Sequence, residues 1–431
     1  VIIEVRSLTE PSTRAVARRG RAGAIPVRIG QHRLNPRALK REGQPVGAET
    51  VELEFARSER STVGVEWELA LVDRETGDLV SIADEVLDAL RGSDGAPHPH
   101  ITGELLLNTV ELVSGVNRTV AGAVADVAAQ VTEVRAITEP RGVEPICAGS
   151  HPFGQWFDQQ VTDKERYRKL IDRTQWWGRN MMIWGIHVHV GIEDRNKVMP
   201  ILNGMLSFVP HLQALSASSP FWAGVNTGYA SNRAQMFQQL PTAGLPWHLE
   251  DWAAWERYVT DLTVTGIIDD ATEVRWDIRP SPRWGTIEVR ACDGVSTVEE
   301  LGAITALIQC LVEWMSTEID LGRPVPTMQP WFVRENKWRA ARYGLAAEII
   351  VDSTGSERMV TDEVRRLIDV LSPTAERLGC TAELLQLNLI LDRGASYQRQ
   401  LAVAATHDGH LPAVVAALAR ELKEGLSPAP A

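Results

Sequence analysis

The segment TVGVEWELALVD constrains this chain more than any other. Val63, Val65, Trp67, Leu69 and Leu71 alternate with Gly64, Glu66, Glu68 and Ala70. Successive side chains leave a strand on opposite faces, so period two over this length predicts a β-strand with one face to bury. Three further segments repeat the pattern. GIHVHVG sets Ile186, Val188 and Val190 against His187 and His189; EVRWDIRP (273–280) puts Arg275, Asp277 and Arg279 on one side; GTIEVRACD (285–293) does the same with Glu288 and Arg290. Strands of this kind build a sheet that is apolar on one face and studded with carboxylates, imidazoles and guanidiniums on the other. A sheet with two unlike faces is characteristically antiparallel.

Helical runs lie between the strands. Over 118–139, Val120, Val124, Val127, Val131, Val134 and Ile137 recur at threes and fours until Pro140. A second helix is predicted over 196–217. A third begins at STVEELGAITALIQCLVEWM, where Ser296 or Thr297 with Glu299 or Glu300 makes a capping box. Residues 357–425 read as short helices. No glycine-rich dinucleotide or phosphate-loop motif occurs. The expected fold class is α+β, a mainly antiparallel sheet with helices packed on its outer face.

Net charge is −12, which argues against nucleic acid as a partner. No run is read as approaching the roughly 18 apolar residues that a membrane span needs. The charge is uneven: residues 1–60 hold twelve Lys and Arg against seven Glu, with no Asp. This composition predicts a disordered N-terminal extension over 1–58, followed by a single catalytic domain over 59–425 with a helical C-terminal part. The four cysteines, Cys147, Cys292, Cys310 and Cys380, show no C-x-x-C spacing and suit a reducing cytoplasm.

The bland reading of the charged face is a solvated surface with scattered salt bridges. Against it, Lys is absent from these strands, and Trp67, Trp184, Gly185, Gly191, Trp276 and Trp284 crowd them. Carboxylates with imidazole suit a divalent cation, and an excess of carboxylate favours Mg2+ or Mn2+. Neighbouring arginines complement phosphate oxygens. Together these are the parts needed for phosphoryl transfer. One histidine of the pair then binds metal; the other orients a substrate or packs.

The ordered set GVEWELALVD, ELLLNTVELVSG, GSHPFGQW, ERYRKL, GIHVHVGI, NRAQMF, WDIRPSPRWGTIEVRACD and ENKWRAARYGL resembles the type 2 glutamate–cysteine ligase-like carboxylate–amine ligases, from about residue 60 to 405. The resemblance implies a curved antiparallel sheet similar to the glutamine synthetase catalytic domain. It also implies ATP-dependent joining of a carboxylate to an amine, with amino acids and ATP as small-molecule partners, and a homo-oligomer is compatible with it. Carried over by position, Glu66, Glu68, Glu111, His189 and Glu288 are expected to hold metal. His187, His189 and Arg279 are expected at the nucleotide phosphates, and Arg279, Arg283 and Arg290 at the reacting groups. Arg233 is expected to grip a substrate carboxylate. His151 and Trp156 line the pocket or shape a turn, and Glu104 supports the metal or the structure. The stretch 219–247 is expected to act as a lid. A ligase for another acid and amine, a metal-dependent hydrolase and a non-catalytic ATP-binding relative are the competing readings. Glu66→Gln or Glu288→Gln is expected to abolish turnover with the fold intact.

Overall fold

The structure, a computed structural model, describes residues 52–426. Most of the expected N-terminal extension, residues 1–51, therefore lies outside the described residues. The expected boundary at 58 does fall on described chain, and it needs correction. Leu53 and Phe55 pack against the core, and Phe55 meets Trp252 edge-on at 5.2 Å. The Leu53 amide donates to Glu256 at 3.0 Å, and the Ala56 amide donates to the Pro282 carbonyl at 2.8 Å. Two apolar side chains in seven residues suffice to hold this segment down.

The alternating segments do form one antiparallel sheet. Its strands are β1 (Val63–Asp73), β2 (Ile101–Gly103), β3 (Thr109–Val113), β4 (Val143–Ile146), β5 (Gly185–Gly191), β8 (Ile278–Ser281) and β9 (Thr286–Asp293); the hairpin β6 (Phe221–Trp222) and β7 (Val225–Asn226) stands apart. The order is β2-β3-β1-β5-β9-β8, with β4 also paired to β1. β1 is long enough to carry β5 along its first half and β4 along its second, with β3 on its other edge.

The apolar face is closed by helices. Val63, Val65, Trp67, Leu69, Ile186, Val188, Val190, Ile287 and Val289 join one core with the helices Val120–Thr138 and Val298–Asp320. The helix Val298–Asp320 is buried along most of its length, which explains its near-continuous apolar sequence. Its cap is half of the expected box. Thr297 accepts from the Glu300 amide, while the Glu300 carboxylate accepts from the Ser296 amide, one residue outside the cap.

The expected helix 196–217 is broken by a 3-10 turn at Leu206–Phe208. Pro210 in the following helix has no N–H for the Leu206 carbonyl, so the regular ladder cannot run through. The helical run Arg195–Ser216 holds an 18-residue window long and apolar enough to cross a membrane by length and composition, contrary to the sequence expectation. Most of that window, 83%, is buried inside the protein, so the core accounts for its apolarity. The C-terminal region is helical but not uniformly short, since Val360–Leu378 has 19 residues.

The largest departure is at EVRWDIRP. Only Ile278–Ser281 is strand, and a 3-10 turn, Ala271–Glu273, precedes it. Trp276 is buried against Trp255 and Tyr258, and the Asp277 amide donates to the Gly244 carbonyl. Trp276 thus bridges to a loop at Gly244, the Asp277 carbonyl still accepts from the Arg290 amide of β9 at 2.8 Å, and the Asp277 side chain turns to Lys337 at 2.5 Å instead of joining Arg279.

Candidate active site

Residues directly opposite one another in an antiparallel pair project from the same face. The register therefore assembles the site. Glu66 faces His187, and Glu68 faces Glu111. His189 faces Glu288, and Glu288 faces Arg279. A bulge in β9 sets Arg290 and Ala291 opposite the single residue His187, bringing Arg290 alongside that imidazole at 3.5 Å.

Glu66 is the centre. One carboxylate oxygen lies 2.7 Å from His187 Nδ1, the other 3.3 Å from His189 Nε2. His189 is oriented from behind by Thr286, whose hydroxyl is 2.8 Å from Nδ1. Glu288, 1% exposed, accepts two hydrogen bonds from Arg279, at 2.6 and 3.2 Å, and one from Arg290. Glu68 accepts from the Gly185 amide at 2.5 Å. Glu104 accepts from its neighbour's amide, Leu105, and from the Tyr167 hydroxyl.

The electrostatics split these carboxylates into two kinds. Burial opposes ionisation of Glu66, but the two imidazoles outweigh it and hold Glu66 well below the usual range. Burial likewise opposes the charge of Glu288, and Arg290, Arg279 and His189 outweigh it, so its pKa is lowered. Glu68 and Glu111 have too few cations. Burial and the Glu104 charge push Glu68 up to about 7. Burial and then Glu104, Glu66 and Glu68 raise Glu111 well above the ordinary value. The histidines also diverge. Burial and Arg290 push His187 down to about 4, so at neutral pH it is an uncharged donor. Burial opposes the charge of His189 too, but Glu288 and Glu66 prevail and raise it.

These residues fit a divalent cation. Among the described residues, the donor atoms of Glu66, His189 and Glu288 lie within 4.8 Å of one another, and so do those of Glu66, Glu111 and His187. Glu66 belongs to both groups. Crowded carboxylates that resist ionisation are what a bound cation would relieve.

The expected residues separate clearly. Glu66, Glu111, His187, His189, Glu288, Arg279 and Arg290 converge, and Glu68 sits beside them without joining either donor group. Arg233 comes from the helix Asn232–Phe237 and is buried; its Nη1 is 3.4 Å from the Arg290 carbonyl, and its Nε has no partner. Arg283 is not brought in: it lies exposed in the turn between β8 and β9, stacked over Trp284 at 4.8 Å. His151 is not brought in either. Its Nε2 lies 2.8 Å from the Gly77 carbonyl, its Nδ1 accepts from the Gly154 amide, and it has no exposed surface. It shapes a turn, and burial pushes its pKa down to about 4. Trp156 stands edge-on to Phe157 and Trp176. The stretch 219–247 is not a free loop, because Ser219, Ser231 and Arg233 within it are buried.

Sequence reasoning missed Tyr167 and Thr286 as supporting groups. The signal for Tyr167 was its place in ERYRKL, one of the segments that carry the resemblance; Thr286 gave none, since a lone strand Thr is ordinary.

The sequence profile described as glutamate-cysteine ligase family 2 matches residues 62–417. A protein of Leifsonia xyli subsp. xyli, provisionally named glutamate–cysteine ligase 2, is 64% identical over 374 residues, covering 87% of this chain and 99% of its own. A relative from Arthrobacter sp. (strain FB24), provisionally named glutamate–cysteine ligase 2-1, is 57% identical over 380 residues, covering 87% and 99%. Among solved structures, the glutamate–cysteine ligase of Francisella tularensis in complex with AMP aligns with a TM-score of 0.64 at 14% identity, over 87% of this chain and 91% of that one. The bifunctional glutathione synthetase of Pasteurella multocida aligns with a TM-score of 0.61 at 16% identity, over 85% and 52%. The structural likenesses show a shared fold; the sequence matches go further, and this chain belongs to glutamate–cysteine ligase family 2.

Proposed function

We propose that the protein is an ATP-dependent ligase that joins the side-chain carboxylate of glutamate to the amine of cysteine, giving γ-glutamylcysteine, ADP and phosphate. The observation that carries this reading is Glu66, shared between two donor groups beside a carboxylate that gathers two arginines. A site of paired cation positions flanked by guanidiniums suits the polyphosphate of ATP better than it suits a hydrolytic water. The choice of glutamate and cysteine comes from the names of the relatives.

Mg2+ or Mn2+ would be held by Glu66, Glu111 and His187 and by Glu66, His189 and Glu288, and would neutralise phosphate charge. Everything else falls to the chain. Arg279 and Arg290 spread positive charge beside Glu288, where the leaving phosphate would develop negative charge. The substrate carboxylate attacks the γ-phosphorus; a C–O–P linkage forms and the bond to ADP breaks. The amine, neutral when it attacks, then displaces phosphate from the acyl carbon and loses a proton. Arg233 is buried and, among the described residues, has no carboxylate within salt-bridge distance. It is free to take a substrate carboxylate in a bidentate grip.

The test is phosphate release from ATP and Mg2+ with a matrix of amino-acid pairs, followed by mass spectrometry. A product with the mass of γ-glutamylcysteine supports the reading. Turnover with a different pair keeps the ligase chemistry and changes the substrates. Binding of ATP with no turnover for any pair overturns it.

A further inference from the structure

A buried carboxylate outside the donor groups, Asp293, has no role in the chemistry above. It ends β9, directly opposite Gly185 at the start of β5. One oxygen accepts from the Ser219 hydroxyl at 2.6 Å and the Ser218 amide at 3.1 Å; the other accepts from the Ser231 hydroxyl at 2.7 Å. Asp293 is 1% exposed, and among the described residues it makes no salt bridge. Burying a carboxylate on neutral donors costs stability, and the nearby charge of Arg233 is the first influence that offsets that cost.

The two serines lead to one place. Ser231 caps the helix Asn232–Phe237 by accepting from the Ala234 amide. Ser219 accepts from the Arg233 amide at 3.0 Å. Asp293 therefore clamps both sides of the turn from which Arg233 projects. The far end of that side chain is fixed as well. A Cβ on Gly185 would lie 2.2 Å from an Arg233 guanidinium nitrogen, so that nitrogen occupies the space a side chain would fill. The Gly185 amide also holds Glu68. The unpartnered Arg233 Nε is thus not the result of a loose side chain.

We propose that Asp293 is the positioning residue for Arg233: through Ser219 and Ser231 it fixes the turn that presents the guanidinium over Gly185, and so sets the affinity for the carboxylate substrate. This rests on the ligase reading, in which Arg233 grips that substrate. Asp293 touches neither substrate nor nucleotide, and it acts only through Arg233.

The experiment is a double-mutant cycle of Asp293→Asn and Arg233→Lys in the full chain, reading KM for the acid substrate and for ATP separately. Asp293→Asn is expected to raise the acid-substrate KM about tenfold with the ATP KM within about twofold, and to add little in the Arg233→Lys background. Ser219→Ala, which spares the carboxylate, is expected to shift the same KM in the same direction by a smaller factor. It keeps the question answerable if Asp293→Asn does not fold. Equal rises in both KM values, or fully additive effects, overturn the positioning role while leaving the ligase reading in place. A wild-type protein that turns over no amino-acid pair removes both.

Discussion

The two faces of the central sheet are made by the same strands and obey opposite rules. On one face Val63, Val65, Trp67, Leu69 and Leu71 are at most 1% exposed and packed under helices. On the other, Glu66, Glu68, Glu111 and Glu288 lie close enough to disturb one another's ionisation. The first face is satisfied by its own packing. The second is only partly satisfied: Glu288 has arginines and Glu66 has imidazoles, while Glu68 and Glu111 carry charges that burial and their neighbours oppose. The lesson is that stability and chemistry are separated by a single residue step along a strand. Of the two unsatisfied carboxylates, Glu111 shares a donor group with Glu66 and His187, and a cation there would relieve its charge.

Substitutions on the two faces should therefore fail in different ways. Glu288→Gln should lose at least about 100-fold in turnover. It should also cost about 3–5 kcal/mol of stability, because two largely buried guanidiniums lose their shared carboxylate. Glu66→Gln should show the activity loss with a much smaller change in melting temperature. Equal melting temperatures for both variants would break the division within the polar face. On the apolar face, Trp67→Ala should cost about 3–5 kcal/mol by denaturant unfolding, since Trp67 has no exposed surface and its indole N–H donates to Cys147.

Glu111→Gln should do the reverse of Glu288→Gln in stability. Removing a charge that the fold resists should raise the melting temperature of the metal-free protein by about 1–3 °C while turnover falls. A drop in melting temperature would show that Glu111 is already satisfied. The pH dependence sharpens the same point. Glu68 has an ordinary value of 4.5 and sits at about 7 in the folded chain. Between those values the folded state keeps a proton that the unfolded state releases, so this group's contribution to metal-free stability falls as pH rises from 4.5 to 7. Mg2+ should stabilise the protein more at pH 8 than at pH 6, with proton release on binding seen by calorimetry in two buffers. The smallest effect is expected at Arg283, whose replacement by Ala should leave turnover within about threefold because it is exposed at a hairpin turn away from the cluster.

The strand pattern made much of this legible. Period two in TVGVEWELALVD, GIHVHVG and GTIEVRACD identifies both faces and puts Glu66, His187, His189, Glu288 and Arg290 on the polar one. Glu111 could be named only by resemblance, because its short strand β3 shows too few alternations to stand out. Arg283 was misplaced, and the choice for His151 between pocket and turn stayed open, for a related reason. A motif position says that a residue sits near a turn, and nothing in it reveals that both ring nitrogens of His151 are taken up by backbone. EVRWDIRP was misread because alternation alone cannot exclude pairing with a loop, which is where Trp276 and its aromatic neighbours send it.

The sequence by itself determined which side chains share a face, because the side-chain direction along a strand is local geometry. Only the tertiary structure decided which faces meet. Strand order and register bring Glu66 of β1 between His187 and His189 of β5, and they put Glu288 under two arginines. They also seat Arg233 against Gly185, with Asp293 of β9 bonded to the Ser219 and Ser231 that flank its turn. Glu66 stands 121 and 123 positions from its two histidines, and such pairings are set by how whole faces bury together, a quantity no local window contains.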